Sequence, residues 1–245
     1  MRKFYEKSEI WFAMMWIILH VVGVSVMDSI SDSIGMPYLI TVFYAVAMLV
    51  VLVLFMKKNG FIETYGLCKF SGSYKEFLFF IPLIAICTVN FWNGVAIDGS
   101  VGACVIVAAA KGIVGIVEEL IYRGLLFVCM SKTNVKSAII VSSLTFGVGH
   151  IVNLLNGAPV FDTVCQIIYA CAIGFCFTVV FYVGKSVIPC ILAHFVVNAS
   201  SAFGAAPADM DMEIFHIIAT VFLTVVSAGY GVWLLVRHKN KLKTA

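Results

Sequence analysis

Charged residues are scarce in this chain of 245 residues. Only 12% of them are Asp, Glu, Lys or Arg, whereas a soluble globular protein has about 25%. Hydrophobic residues make up 62%, against roughly 45–50% in soluble proteins. So few charges cannot cover the surface of a protein of this size in water, which excludes a soluble domain. The composition predicts a polytopic membrane protein whose main partner is the lipid bilayer.

Signatures of several other protein classes are also missing. The net charge is only +3, without the concentrated basic face that is typical of nucleic-acid binding. The eight cysteines include no C-x-x-C pair, so neither a disulfide framework nor a cysteine-ligated metal site is expected. The serine-protease signature G-x-S-x-G and the zinc-protease signature H-E-x-x-H are absent. Any chemistry must come from other residues.

Long apolar runs occupy most of the chain. A helix that crosses the hydrocarbon layer needs about 20 mainly apolar residues, and its backbone must satisfy its own hydrogen bonds there. The candidate spans are 10–27, 37–56, 76–93, 101–127, 137–156, 163–183, 187–204 and 214–236. The sequence thus predicts an all-α transmembrane bundle of about eight spans. The short connections predict a single integral membrane domain over residues 1–245.

Positive charges alternate along the connecting segments. Fifteen of the 16 lysines and arginines fall in the N-terminal segment, in every second connection, and in the tail, if Arg123 near the end of the fourth run is counted with the connection that follows it. The tail contributes Arg237, Lys239, Lys241 and Lys243. Because basic residues concentrate on the cytoplasmic side of membrane proteins, both termini are predicted to be cytoplasmic. The exception is Lys111, which lies within the fourth apolar run.

Two adjacent glutamates interrupt the fourth apolar run. Ionisable side chains inside a span are costly and are usually functional. Arg123 follows Glu119 by four residues, so the two share a helix face and can pair. Glu118 points about 100° away around the helix and lacks that partner, which leaves its carboxylate available for chemistry. Taken alone, the three residues also fit a charge cluster at a helix end that extends toward the membrane surface.

Histidines occur in the fifth and seventh runs, each at helical spacing from a second residue. Phe146 and His150 are four residues apart, as are His194 and Asn198, so each pair lies on one face of its helix. Each motif alone is more typical of a packed histidine or of an asparagine that joins two helices. However, a rise of about 1.5 Å per residue places both histidines and Glu118 between the cytoplasmic surface and the membrane centre. Polar groups at one depth on three helices predict a shared site.

These side chains suit the attack of water on an amide carbonyl. A glutamate beside a histidine can bind and deprotonate water, and a second histidine with an asparagine can donate hydrogen bonds to the developing oxyanion. Glu118, His150 and His194 are also a possible zinc site, because two histidines and one carboxylate are a common catalytic set. The two mechanisms need the same residue types, so the sequence leaves the choice open.

Three motifs together resemble those of the CPBP family, the CAAX proteases and bacteriocin-processing enzymes, also called Abi or type II CAAX prenyl endopeptidase-like. They are E-E-x-x-x-R from Glu118, F-x-x-x-H from Phe146 and H-x-x-x-N from His194. All three occur in order on separate spans, within a motif-bearing core of residues 100–204. The resemblance implies an intramembrane endopeptidase whose site opens to the cytoplasm.

The resemblance also implies a role for each motif residue. Glu118 with His150 would activate water, and His194 with Asn198 would form the oxyanion hole. The supporting residues would be Glu119, Arg123 and Phe146. It favours a glutamate mechanism without a cofactor over a zinc enzyme. It further implies a peptide or small membrane-associated protein as substrate, and the short connections favour the plasma membrane of a bacterium.

Two other classes of function stay open. A protein of the same fold could bind a bacteriocin without cleaving it and so act as an immunity protein. A transporter could use Lys111 and the buried carboxylates as an ion path, although the chain shows no inverted repeat or paired broken helices. Cleavage of a lipid-anchored or leader-bearing peptide by the purified protein would distinguish the protease from both.

Overall fold

The chain is almost entirely helical. A computed structural model describes residues 1–70 and 72–239, and within these ranges the only β pairing is an isolated bridge between Val95 and Gly204. The α-helices are α1 Arg2–Lys7, α2 Glu9–Ser33, α3 Leu39–Lys58, α4 Ile81–Ile86, α5 Val101–Glu119, α6 Val128–Ser131, α7 Val135–Gly149, α8 Val160–Gly184, α9 Ile188–Ser200 and α10 Met212–Arg237. The predicted all-α class is confirmed.

Two further helical segments continue long helices into their neighbours. A π-helical segment, Leu120–Phe127, joins α5 to α6, and a 3-10 segment, His150–Asn156, extends α7. With these extensions, six described helices are long and apolar enough to cross a membrane. They are α2, α3, α5 through α6, α7 with its extension, α8 and α10. The chain is therefore a multi-pass membrane protein.

Polar side chains mark where four of the helices begin. The first N–H groups of a helix lack partners within the helix, so a side-chain oxygen that accepts from them stabilises its start. Ser8, Ser100, Asn134 and Asp211 each accept such a hydrogen bond, at the starts of α2, α5, α7 and α10. The helix boundaries thus follow from local sequence rather than from apolar content alone.

Two of the eight predicted spans are built differently from the other six. The predicted span 76–93 is broken into short helices, because Leu78, Phe79 and Phe80 have positive φ angles of 50°, 51° and 58°, and Pro82 then begins α4. The predicted span 187–204 contains α9, whose 13 residues reach about 20 Å. That length falls short of the roughly 30 Å hydrocarbon core.

The broken segment nevertheless runs beside α10. The Tyr230 hydroxyl donates to the Phe77 carbonyl at 2.7 Å, and the Trp92 and Phe222 rings lie 4.7 Å apart between centroids. These two contacts are eight residues apart on α10, or about 12 Å. Irregular backbone is tolerated at membrane depth where protein buries it. Eight passages through the membrane, and cytoplasmic termini, stay predictions.

The connecting segments gather at two opposite ends of the bundle. We define the basic end as residues 1–9, 57–77, 128–136, 182–188 and 234–239, and the acidic end as residues 28–38, 94–100, 156–163 and 201–213. At the basic end, Lys132 binds Glu9 at 2.5 Å and Ser186 donates to the Cys68 carbonyl at 2.7 Å. Lys241 and Lys243 lie outside the described residues.

At the acidic end, matching contacts join the other connections. Ser29 donates to Asn156 at 3.2 Å, and the Ala96 amide donates to the Phe203 carbonyl at 2.9 Å. Nearby on α10, His216 lies 2.8 Å from Asp162. The alternation of charge along the sequence therefore corresponds to two physical ends. One residue departs from that pattern. The sequence analysis counted Arg123 with a basic connection, but its side chain is completely buried inside the bundle.

Candidate active site

The buried polar groups of the bundle meet around Glu118 and Glu119, at the end of α5. Both carboxylates lie inside the protein, and so do His20 on α2 and His194 on α9. Three helices that are distant in the sequence therefore contribute ionisable side chains to one cluster. Two of the three motif-bearing spans, α5 and α9, meet in this cluster, and α2, which contains no motif, joins them.

Glu119 is enclosed by two cationic or hydrogen-bonding partners. Its Oε1 lies 3.0 Å from Arg123 Nη1 and 2.8 Å from His194 Nδ1. The Arg123 guanidinium in turn lies 4.4 Å from the Phe146 ring centroid and donates to the Gly174 carbonyl at 3.3 Å. The pair expected from the four-residue spacing is thus formed. The contact with His194 adds a role that the spacing did not predict.

The helix changes its geometry immediately after the two glutamates. Residues Leu120–Phe127 form a π-helical segment, which is rare and is often found at functional sites. The Ser142 hydroxyl donates to the Tyr122 carbonyl at 2.9 Å, so α7 satisfies a backbone group of this segment. The Tyr122 ring packs edge-on against Phe146 at 5.3 Å. The widened turn lies directly beneath the glutamates and packs against α7.

Glu118 has a partner that sequence reasoning missed. His20 Nε2 lies 3.1 Å from Glu118 Oε1, and His194 Nε2 lies 3.4 Å from Glu118 Oε2. Arg123 pairs with Glu119 and not with Glu118, as the spacing predicts, but the contact with His20 was not anticipated because the three motifs lie on other spans. The signal was available, since His20 is an ionisable residue inside a predicted span.

Small residues on α5 let α9 approach closely. A Cβ atom at Gly115 would lie 3.1 Å from His194 Cδ2 and 3.2 Å from Asn198 Nδ2, and one at Gly112 would lie 2.6 Å from the Phe195 ring. Asn198 Nδ2 donates to the Lys111 carbonyl at 3.3 Å. His194 and Asn198 therefore lie side by side on one face of α9 and pack against α5, as their four-residue spacing predicts. His194 reaches both glutamates from this position.

His150 occupies a more exposed position than His20 and His194. It is the first residue of the 3-10 segment that follows α7, and its ring packs edge-on against Phe146 at 5.6 Å. Within the described ranges its imidazole makes no hydrogen bond to Glu118. His20, rather than His150, is the imidazole in contact with Glu118 Oε1. His150 instead lines the cavity above the carboxylate.

A cavity of about 490 Å³ lies over this cluster. Its inner wall includes His20, Glu118, His150, His194 and Asn198, so four predicted site residues and one unpredicted residue face the same space. The remaining predicted residues are Phe146, which also lines it, and Glu119 and Arg123, which lie behind the wall. The site is thus a pocket large enough for part of a peptide.

The mouth of the cavity lies at the acidic end. The lining includes Asp28, Tyr38, Asn156 and Asp162 of the acidic end, and His216 beside them. Burial, with Asp28 and Asp32 nearby, raises the pKa of Tyr38 to about 12, so this phenol stays neutral at physiological pH. Within the described ranges no lining residue belongs to the basic end. The described residues of both termini belong to the basic end, whereas the cavity extends toward the acidic end. The predictions of a cytoplasmic opening and of cytoplasmic termini therefore cannot both be correct.

As arranged here, the nitrogens of His194 are directed at carboxylates rather than at a shared metal position. Both nitrogens of His194 face carboxylate oxygens, at 2.8 Å and 3.4 Å, and a zinc ligand must instead direct a nitrogen lone pair at the metal. Among residues 1–70 and 72–239, no group of three His, Cys, Asp or Glu side chains is arranged to bind a metal ion. The set Glu118, His150 and His194 is therefore interpreted through its own acid–base chemistry.

Residues 100–200 match the family model described as "Type II CAAX prenyl endopeptidase Rce1-like". The match contains all seven predicted site residues but not His20, and it confirms the resemblance drawn from the three motifs. No curated protein and no solved structure matches the chain. The likeness to a CAAX prenyl endopeptidase is thus a property of residues 100–200.

Proposed function

Because an Rce1-like segment contains the glutamate cluster, we propose that this protein is an intramembrane endopeptidase that activates water with Glu118. One observation carries the proposal: a buried carboxylate lies at the base of a cavity, in contact with two imidazoles. A buried carboxylate that served structure alone would not need an open space beside it.

In the proposed reaction, Glu118 is the general base. Water enters the cavity between Glu118 and His150, and its oxygen attacks the carbonyl carbon of the peptide bond while its proton passes to the Glu118 carboxylate. The same proton then passes from Glu118 to the amine nitrogen as the C–N bond breaks. General acid–base catalysis of this kind contributes about 10²–10⁴ in rate.

The oxyanion of the tetrahedral intermediate needs hydrogen-bond donors. His194 lies between two carboxylates, and an imidazole in that position donates from both nitrogens when it is protonated. Asn198 Nδ2 uses one N–H on the Lys111 carbonyl and has a second. We assign His194 Nε2 and Asn198 Nδ2 to this role, and Glu119, Arg123 and Phe146 to the positioning of His194.

The substrate would be a peptide or a small membrane-associated protein, cleaved in the plasma membrane. A reaction with purified protein in liposomes and a lipid-anchored peptide tests the proposal. Glu118→Gln should lose at least about 10²-fold in rate, whereas the exposed Glu63→Gln should match the unmodified protein. The proposal would be contradicted if Glu118→Gln cleaved the peptide as fast as the unmodified protein, or if the unmodified protein did not cleave it.

The same reaction tests the absence of a metal. Treatment with a chelator should leave the rate unchanged, because every proposed step uses side chains of this chain. Loss of cleavage on chelation, followed by specific recovery with zinc, would replace the glutamate mechanism with a metalloprotease mechanism. The non-proteolytic immunity protein predicts peptide binding without product in all of these samples.

A further inference from the structure

The exposure of the cavity wall rises toward one end of the bundle. At the base, His20, Glu118 and His194 are 3%, 8% and 5% exposed. At the mouth, the side chains of Asp162 and His216 are 39% and 31% exposed. The cavity above Glu118 therefore becomes more open toward the acidic end.

The opposite path, from the basic end, is filled with packed side chains. Tyr65 is 2% exposed, and its Cβ lies 3.5 Å from the position that a Cβ on Gly124 would occupy. Gly66 lies against Phe181, so closely that a Cβ atom on this glycine would lie 2.3 Å from the ring. The Tyr65 hydroxyl donates to Tyr5 at 2.9 Å. The segment that follows α3 thus closes the bundle beneath the π-helical turn.

The charges of the two ends predict how the protein is oriented. The acidic-end segments contain seven carboxylates and no lysine or arginine. The carboxylates are Asp28, Asp32, Asp98, Asp162, Asp209, Asp211 and Glu213. Nearly all lysines and arginines belong to the basic end or to the tail, and such residues concentrate in the cytoplasm. The mouth of the cavity is then on the extracytoplasmic side.

We propose that Glu118 receives its substrate from outside the cytoplasm, as an extracytoplasmic segment of a membrane-associated peptide or protein. That a substrate exists rests on the proposed function, but the direction of the path is independent of catalysis. The cytoplasmic opening implied by resemblance is a property of other proteins, whereas the charges and the cavity belong to this chain.

Lys111 lines the cavity between the acidic end and Glu118. Its Nζ lies 3.2 Å from Ser201 Oγ and 5.3 Å from the Tyr38 ring centroid. Val114 is on the same helix, between Lys111 and Glu118, and it lines the cavity. A cysteine at position 114 would therefore report whether a water-soluble reagent reaches the level directly above the glutamate.

The test uses single cysteines in a variant whose eight native cysteines are replaced, and a membrane-impermeant thiol reagent applied to intact cells. Val114→Cys reports the deep cavity, and Gln166→Cys on α8 reports its wall if the first variant does not accumulate. Asp98→Cys is the control for the acidic end, and Lys136→Cys is the control for the basic end. Both control positions are exposed.

We expect Val114→Cys, Gln166→Cys and Asp98→Cys to be modified in intact cells, and Lys136→Cys only after the membrane is permeabilised. Modification of the two cavity cysteines only after permeabilisation would overturn the inference. So would modification of neither cavity cysteine, or modification of Lys136→Cys rather than Asp98→Cys in intact cells.

Failure of this inference is distinguishable from failure of the proposed function. The labelling needs a folded, inserted protein but no turnover. An outward-facing cavity in a protein that cleaves nothing would leave the direction of the path intact and remove the protease. Cleavage by a protein whose cavity cysteines are labelled only from the cytoplasm would support the protease and overturn the direction of the path.

Discussion

At the scale of single residues, the two adjacent glutamates have different surroundings and should respond differently to the same substitution. Glu119 is completely enclosed and contacts Arg123 and His194. Glu118 contacts two imidazoles and faces the cavity. Chemistry is therefore expected from Glu118 and structural support from Glu119.

Glu119→Gln should lower stability, because it leaves the Arg123 guanidinium buried without its counter-charge. Removal of one partner from a buried pair costs about 3–5 kcal/mol. Thermal unfolding in detergent measures this, with Glu118→Gln as the matched variant one residue away. A Glu119→Gln protein as stable as Glu118→Gln would show that the pair contributes little to the fold.

His20 is predicted to be a positioning residue for Glu118, since its Nε2 lies 3.1 Å from the carboxylate. His20→Ala should lower kcat by about 10–100-fold, the usual cost of losing a partner that orients a functional group, with little change in KM. His20→Gln retains an N–H donor and should recover part of that loss. His238→Asn, at the basic end, is the control. Equal activity of His20→Ala and the unmodified protein would remove His20 from the site.

Asn198 is predicted to act mainly in the transition state. Asn198→Ala should lower kcat by about 10²–10³ with KM nearly unchanged, because an oxyanion donor does not bind the ground state. Asn198→Asp should be at least as damaging, since it brings negative charge to the place where negative charge develops. If Asn198 only joins two helices, its loss costs about 0.6–2 kcal/mol of stability. Single-turnover cleavage and thermal unfolding of one preparation separate these outcomes.

At the scale of elements, the contact between α5 and α9 determines the geometry of the site. Gly115 leaves just enough space for His194 and Asn198, so the distance between these helices sets where the oxyanion donors lie. Displacements of about 1 Å can cost roughly 10²-fold in rate. If the proposed function holds, the distance between α5 and α9 therefore affects the rate of cleavage as well as the packing of the bundle.

Gly115→Ala should reduce activity strongly while the protein stays inserted, because the added Cβ displaces both side chains of α9. Gly102→Ala is the matched control on the same helix, since the nearest atom to a Cβ there is Ser100 Oγ at 3.9 Å. It should be as active as the unmodified protein and slightly more stable, by up to about 1 kcal/mol. Full activity in Gly115→Ala would mean that α9 can move without consequence.

Apolar content predicted the six long helices, but it did not predict that the other two predicted spans are built from shorter pieces. Hydropathy reports the solvent preference of side chains, and Leu78, Phe79 and Phe80 are as apolar as any helix residue. Their left-handed backbone breaks the helix, and a hydropathy pattern contains no signal of backbone conformation. The short α9 follows from the turn at Lys185 and from Pro189, and its apolar flanks concealed its length.

At the scale of the whole molecule, the meeting of Glu118 with His194 was predictable, but the end toward which the cavity extends was not. Counting residues along each helix placed the two side chains at one level. The opening depends on which end is filled, and the segment around Tyr65 fills the basic end through contacts distant in sequence. His20 was missed because the three motifs drew attention to residues 100–204, and its helix contains no second functional residue.

The site should survive a break in the chain. The connection 94–100 is almost entirely exposed, so fragments 1–98 and 99–245 expressed together are expected to assemble and to cleave substrate, whereas 99–245 alone should be inactive. Cleavage by each purified preparation measures this. Full activity of 99–245 alone would show that the N-terminal helices and His20 are dispensable.

The contact between His20 and Glu118 also determines what can be inherited or transplanted as a unit. The matched segment 100–200 contains the carboxylate but not the imidazole that contacts its Oε1. If the proposed function holds, grafting that segment into another membrane scaffold should transfer Glu118 without its imidazole partner. The unit that would have to be transplanted therefore extends back to α2, outside all three motifs.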